Sequence, residues 1–466
     1  MIEMSLAEIA TLTGGRLHRA TGAERVTAVE FDSRQVGPGG LFLALPGERA
    51  DGHDFAAAAV AAGAVAVLAA REVDAPAVLV PPAEPGGLAA GSYLAAHDPD
   101  GAGAAVLAAL GRLAAHNVGA LDGLTVVGVT GSSGKTSTKD LLAAVLAPLG
   151  PTVAPPESFN NELGLPWTAL RADSDTRHLV LEFSARGTGH IAALAAAVPP
   201  RIGVVLNVGC AHLGEFGSVD AIAQAKGELV EALPPNGVAV LNADDPRVAA
   251  MAARTAARVL TFGARAEVRA EDLTLDAGRA RFRLVTPAGS APVALRLVGA
   301  HHVGNALAAA AVAAELGGAP ETVAAALSAA APASRWRMEV TDRADGVTVV
   351  NDAYNANPDS MAAALRALAA VGTGRRTWAV LGPMRELGPE SATAHEGVAL
   401  LAKELGVDEL VTVDSPEYGA GRPVADAAQA TALLAAELAP GDVVLVKASR
   451  AAGLDRVAAA LLEGAA

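Results

Sequence analysis

Thr125-Val126-Val127-Gly128-Val129-Thr130-Gly131-Ser132-Ser133-Gly134-Lys135-Thr136 decides how the rest of the chain is read. The apolar, β-branched opening predicts a buried parallel strand, the glycine-rich run a tight turn, and the alanine- and leucine-rich residues beyond Thr136 a helix. Such a turn aims backbone N–H groups at an anion, and the helix N-terminus adds partial positive charge. Lys135 can reach terminal phosphates, and the Thr136 hydroxyl suits Mg2+. The general pattern G-x-x-x-x-G-K-[ST] would place glycine at 129, where this chain has Val129. Thr130, Gly131, Ser132, Ser133, Gly134, Lys135 and Thr136 therefore form the shorter T-G-x-x-G-K-T cradle, and ATP binding is the expectation. A phosphate loop alone does not choose among kinases, motors and ligases.

Outward from this loop, short aliphatic runs recur at Leu179–Leu181, Gly203–Leu206 and Val238–Leu241, separated by helical stretches. That alternation predicts an α/β fold with a parallel sheet covered on both faces. From Glu267 to Val298 the period changes to two, with Gly278 and Gly289 at turns, which predicts an antiparallel appendage. Strand-then-helix pairs resume at Val347–Val350, Trp378–Leu381 and Val443–Val446 and predict a smaller Rossmann-like unit. Its first strand is not followed by G-x-G-x-x-G, so a nicotinamide cofactor is not expected. Ahead of the loop, a short helix and strands near Ala28–Phe31 and Leu41–Leu45 predict a small mixed α/β unit, with Pro81–Gly87 as linker. The expected division is three domains, at 1–100, 101–331 and 332–466.

Bulk properties narrow the function classes. The 466 residues are 52% apolar but only 3% aromatic, so cores are built from small side chains. A net charge of −15 opposes sequence-independent nucleic-acid binding, which needs a basic face. One cysteine, Cys210, matches a reducing cytoplasm. The opening residues lack a signal-peptide layout, and the uncharged run Phe55–Ala70 is shorter than the ~20 residues a bilayer crossing needs. A helix running into a strand explains that run better. The expectation is a soluble, cytoplasmic protein, monomeric by default.

Three further residues carry chemistry only in combination. Glu182 ends the strand Leu179–Leu181, at the sheet edge where ligands bind in open α/β folds. Read alone, it is as readily a solvated glutamate as a Mg2+ ligand. His212 alone reads as a hydrogen-bonded structural histidine, and Lys226 alone as a surface lysine. Their order after a phosphate loop raises all three.

That order, Thr130–Thr136, Glu182, Asn207…His212 and Ala225-Lys226-Gly227-Glu228, resembles the Mur ligases, and the resemblance extends over nearly all of the chain. Asp32-Ser33-Arg34 and Gly47 through His53 look like the family's uridine-diphosphate-binding region, and Asn160-Asn161 within Ser158–Pro166 like the loop meeting the muramoyl end of the substrate. His302 and Asn305 lie in a stretch resembling the adenine site. Asp352, Tyr354, Asn355 and Asn357 lie in Asn351–Ser360, the most family-specific run. Arg337 looks like the arginine that reaches the ATP phosphates; Glu386-Leu387-Gly388 and Lys447-Ala448-Ser449-Arg450 complete the pattern, the latter on the amino-substrate side.

The resemblance implies ATP-dependent ligation of D-alanyl-D-alanine to UDP-N-acetylmuramoyl-tripeptide through an acyl phosphate, a step of peptidoglycan synthesis. By the same resemblance Lys135 and Arg337 neutralise phosphates, Thr136 and Glu182 hold one Mg2+, His212 helps hold a second, and Lys226 is the lysine that the family carbamylates to make a metal ligand. Lys135, Lys226, His212 and Arg337 are thus the implied catalytic set. Closure of the third domain is expected to complete the site. The sister ligase adding diaminopimelate or lysine shares the centre, but the Tyr354–Ser360 run favours the later step. A non-catalytic nucleotide-binding relative would have lost Lys135, Glu182, His212 or Lys226, and all are present. The chain departs from the family pattern at His302, Ser184, His190 and Pro383, where Asn, Gly, Glu and Asp are usual. His302 can still pack against adenine, and the other three bear on the substrate side more than on the ATP chemistry.

Overall fold

Thr125–Thr130, buried along its whole length, forms the strand on which the central sheet is built. In the computed structural model, which describes residues 1–47, 50–81, 83, 97–211 and 213–463, it lies fourth of six strands. The order is Arg258–Phe262, Val238–Asn242, Ile202–Val205, Thr125–Thr130, His178–Glu182 and Thr152–Val153, with every pairing parallel. A sheet of this kind must be covered on both faces. Val127 and Val129 face the helices Lys135–Leu146 and His301–Glu315, while Val126 faces the helices Ala102–Gly119 and Val219–Glu231. Gly128 is glycine for a packing reason: a Cβ there would meet the Phe183 ring at 2.8 Å. The strands flanking Thr125–Thr130 come from later in the chain on both sides, so three loops converge at one carboxyl edge. That edge is the switch point at which open α/β sheets bind ligands.

The period-two segment forms the predicted antiparallel sheet, Arg269–Asp276, Arg279–Thr286 and Gly289–Val298. Its pattern hid one irregularity: the register shifts between Glu271 and Thr274, where Asp272 has φ 56°. The last sheet has the order Glu339–Asp342, Thr348–Asn351, Val443–Lys447, Thr377–Leu381, Glu409–Val413 and Arg422–Val424, parallel apart from the first strand. Its final strand carries Pro423, and proline is tolerated there because the strand is an edge.

The opening segment holds a five-stranded mixed sheet. Within it the Phe55–Ala70 run divides into a helix, Ala56–Ala62, and a strand, Ala64–Ala69, as the sequence predicts. Of the proposed linker Pro81–Gly87, Pro82 and residues 84–87 lie outside the described residues. Among the described residues no helix is long and apolar enough to cross a membrane.

Opening and central segments share one continuous core, from Leu6 and Ile9 through Leu110 and Leu113 to Leu179 and Leu181. In a chain so poor in aromatics, three are gathered at this joint. Phe31 lies 5.9 Å from Phe159 and 5.4 Å from Trp167, whose rings are 5.0 Å apart, and Trp167 Nε1–H donates to Val29 O at 2.9 Å. The joint lies beside Asp32-Ser33-Arg34 in the chain, so its packing fixes that region relative to the phosphate loop.

Candidate active site

The loop after Thr125–Thr130 is braced from the neighbouring strand rather than by itself. Asn207 accepts from Ser133 N–H at 3.0 Å and donates to Ser133 O at 3.2 Å, while its own carbonyl accepts from Ser132 N–H. The Thr130 hydroxyl is spent on Phe183 O at 2.8 Å, so it ties strand to strand and leaves phosphate contact to the residues after it. Gly134 has φ +83°, and a Cβ there would come within 2.6 Å of Asn305 Oδ1. Glycine is required on both counts.

Lys135 Nζ folds back onto Gly131 O at 2.6 Å. Burial pushes its pKa down, Glu182 pulls it up and Arg337 pushes it down again. Beside it, Thr136 Oγ1 lies 3.3 Å from Glu182 Oε2, which also accepts from Ser158 Oγ–H at 3.2 Å and Asn160 Nδ2–H at 3.3 Å. Glu182 is fully buried, and its second oxygen, Oε1, has no partner among the described residues. A buried carboxylate oxygen left over in this way costs free energy unless something else occupies it.

Lys226, on the helix Val219–Glu231, is 3% exposed. Burial, and next the nearby Lys135 charge, push its pKa well below the ordinary lysine value. Glu228 of the same run supports the fold instead: its carboxylate accepts from Gly189 N–H and Ala192 N–H at the start of the helix His190–Ala197. His212 lies outside the described residues.

The third segment supplies the other wall of a cavity of about 390 Å3. Arg337 Nη2–H donates to Thr136 Oγ1 at 3.2 Å, and its guanidinium lies 3.9 Å above the Tyr354 ring. Arg450 stands 5.1 Å from the same ring and 5.5 Å from Trp336. Lys447 Nζ pairs with Asp352 Oδ2 at 2.6 Å and donates to Asn355 O at 2.8 Å. Burial lowers the Lys447 pKa and Asp352 opposes it. Asn357 caps the helix Pro358–Val371, accepting from Ser360 N–H, and so holds the family-specific run in place. His302 is buried, with Nδ1 3.4 Å from Asn305 Nδ2 and Nε2 without a partner among the described residues. Burial, then the neighbouring His301, keep it neutral.

The two walls already touch. Asp359 Oδ2 accepts from Cys210 N–H at 3.1 Å and presses on Gly209, and Glu386 O accepts from Gly214 N–H at 3.1 Å. Gly388 packs directly on Gly214, backbone against backbone.

Of the sequence-derived substrate residues, Asn160, Lys447 and Arg450 line this cavity, and the others do not. Asn161 is turned to Gly164 N–H, where it steadies the helix Gly164–Ala169. Ser449 accepts from Arg385 N–H and its own N–H donates to Pro383 O, so it holds the 383–385 backbone. Asp32 forms a two-bond pair with Arg34, which holds the carboxyl well below the usual carboxylate range. Ser33 and Gly47 stay with them on the opening segment, Gly47 N–H donating to Ala50 O. Of the departures, Ser184 lines the cavity, whereas His190 faces Glu162 at 3.5 Å and borders a separate groove against the helix Ala102–Gly119.

Ser158, Asn207, Asp359 and Glu386 also stand at the site; the sequence places each in a family-like run without giving its side chain a role of its own. Glu386 has φ +66°, a left-handed conformation uncommon for a residue other than glycine. A serine within hydrogen-bonding reach of a strand-end carboxylate leaves no local signal, because the two are 24 positions apart.

Residues 25–96 match the Mur ligase family, catalytic domain; 129–313 the Mur ligase middle domain; and 336–450 the Mur ligase, glutamate ligase domain. The UDP-N-acetylmuramoyl-tripeptide–D-alanyl-D-alanine ligase of Mycobacterium tuberculosis is 55% identical, with 99% of this chain and 98% of that protein covered. A crystal structure of MurF from Acinetobacter baumannii superposes with TM-score 0.85 at 31% identity, covering 99% of each chain. A MurF ligase from Thermotoga maritima in complex with ADP superposes with TM-score 0.78 at 30% identity, covering 94% of this chain and 97% of the other.

Proposed function

The chain belongs to the Mur ligase family, and from that premise we propose that it joins D-alanyl-D-alanine to UDP-N-acetylmuramoyl-tripeptide with consumption of ATP. The product is the pentapeptide precursor of peptidoglycan, so the reaction serves cell-wall synthesis and, through it, cell shape and division. Two domains meeting at one hydroxyl carry the assignment: Thr136 Oγ1 receives Arg337 Nη2–H and adjoins Glu182.

An amide cannot form from a carboxylate and an amine in water until the carboxylate is activated. The terminal carboxylate of the tripeptide attacks the γ-phosphorus of ATP, ADP leaves, and an acyl phosphate results. The dipeptide amine then attacks the acyl carbon, and phosphate departs. The first step drives one anion into another, so charge neutralisation and alignment dominate the protein's contribution. The Thr130–Thr136 backbone holds the phosphates, with Lys135 and Arg337 opposing their charge from two sides. His302 and Asn305 sit where the adenine is held. Contact along Gly209, Asp359, Gly214 and Gly388 shuts water away from the acyl phosphate.

The oxygens present fit Mg2+. Thr136 Oγ1 and the partnerless Glu182 Oε1 are hard donors, and among the described residues no three His, Cys, Asp or Glu side chains converge to hold a metal by themselves. The remaining donors would come from ATP, from His212 and from a carbamate on Lys226. Bound there, Mg2+ neutralises charge on the phosphoryl oxygens. Carbamylation needs a neutral amine, because the Nζ lone pair attacks the carbon of CO2 and a proton is released. The lowered Lys226 pKa supplies that neutral form. The reaction belongs in the cytoplasm, catalysed by a monomer that needs neither nucleic acid nor insertion into a membrane.

Phosphate release measured with ATP, Mg2+, UDP-N-acetylmuramoyl-tripeptide and D-alanyl-D-alanine tests the assignment. Release that requires both peptide substrates, with a nucleotide product heavier by one dehydrated dipeptide, is expected. Turnover only with a dipeptide acceptor and a diamino acid would overturn it. For Lys226, labelled bicarbonate should give a carbamate carbon signal that is absent from Lys226→Met. The lowered pKa also fixes a pH trend. The unfolded chain binds the extra proton between the depressed folded pKa and the ordinary value of 10.5, so stability of the uncarbamylated protein rises with pH across that window. Lys226→Met should lessen that slope in denaturant titrations.

A further inference from the structure

Lys139 follows Lys135 by one turn of the helix Lys135–Leu146 and is 3% exposed. A buried ammonium persists only when its protons are satisfied. Its partners are Asp140 Oδ1 at 2.5 Å, Pro155 O at 3.0 Å and Ser334 Oγ at 3.3 Å. They come from three separate parts of the molecule. Asp140 is on the phosphate-loop helix itself, and Pro155 leads into the loop that brings Ser158 and Asn160 to Glu182. Ser334 lies in the connector from the helix Pro320–Ala329 to the strand Glu339–Asp342, three residues ahead of Arg337. Asp140 Oδ2 closes the ring by accepting from Ser334 N–H at 3.1 Å.

Past Ser334 the connector is contorted. Trp336 and Met338, on either side of Arg337, have φ 58° and 50°. Side chains other than glycine rarely adopt this left-handed region, and it persists where the surroundings hold it. Here the chain is held on both sides: at Ser334 by Lys139 and Asp140, and at Met338 by its N–H bond to Asp352 Oδ1 at 3.1 Å. Between those anchors Arg337 has one course, onto Thr136.

We propose that Lys139 is a positioning residue, which pins Ser334 to the phosphate-loop helix and thereby sets where the Arg337 guanidinium arrives over the phosphates. The inference rests on the reading of Arg337 as a phosphate-facing group. Because Lys139, Lys135 and Thr136 share one helix, the pin refers both cations to the same rigid element.

A double-mutant cycle on the full-length protein separates positioning from mere support. Lys139→Met is expected to lower kcat by about tenfold or more, with the KM for D-alanyl-D-alanine within about twofold. Added to Arg337→Ala, the same change should lower kcat by less than about twofold, because the group it positions is gone. Ser334→Ala strands no buried charge and serves if Lys139→Met fails to fold; its smaller fall, about threefold, should vanish in the same way. An equal fall with and without Arg337, or a wild-type kcat in the variant that folds, would overturn the inference. A wild-type kcat for Arg337→Ala would instead overturn the phosphate reading, and the inference with it.

Discussion

Lys135→Met is expected to lower kcat by about two to three orders of magnitude while leaving the protein folded. Methionine keeps the apolar stem of the side chain and removes the ammonium, with its charge and its hydrogen bonds. In the structure that charge is held by a backbone carbonyl of its own loop, Gly131 O, so a phosphate oxygen needs only to draw Nζ a short way to gain it. The charge matters most when two anions are forced together, and Arg337 cannot substitute, since it approaches from the opposite wall through Thr136. Initial rates of phosphate release at saturating ATP decide the matter. If the KM for ATP rises and kcat holds, Lys135 contributes only binding common to the ground and transition states, and its assigned role is wrong.

Glu182→Gln is expected to move activity and stability in opposite directions. Activity should fall by about a hundredfold or more, because a Mg2+ ion held by Glu182 would lose an anionic oxygen ligand. Stability without Mg2+ should hold or rise, by an amount on the order of 1 kcal/mol. The carboxylate is fully buried with one oxygen unpartnered among the described residues; the amide removes that charge, and its carbonyl in the place of Oε2 still accepts from Thr136, Ser158 and Asn160. Thermal melts with and without Mg2+ and ATP, beside the rate assay, test both halves. A large loss of stability without Mg2+ would mean that Glu182 is held for the fold rather than the metal.

What the sequence revealed and what it concealed follow from how far apart the partners lie. The phosphate loop is legible because strand, turn and helix are consecutive, and the central strands because burial on both faces makes them continuous apolar runs. Arg422-Pro423-Val424 does not read as a strand, since an edge position can carry a proline and exposed side chains. The helix His301–Glu315 is nearly half alanine, so it shows little amphipathic pattern and reads only as a helix start. Arg337 was found through resemblance alone, because its partner Thr136 is 201 positions away. Lys139 carries no mark that separates it from a surface lysine; only the fold brings Ser334, 195 positions on, against it. His190 and Asn161 are the reverse case, residues picked out by pattern whose side chains the fold spends on neighbouring groups.

The scarcity of aromatic residues has an optical consequence. The chain has three tryptophans, and each reports on a different event. Trp167 emits from the joint between the opening and central segments, Trp336 from the connector beside Arg450, and Trp378 from the interior of the last sheet, hydrogen-bonded to Asp442. Single-tryptophan versions made with phenylalanine at the other two positions would turn the protein's own fluorescence into three separate local probes, of the first joint, of the connector and of the interior of the last sheet.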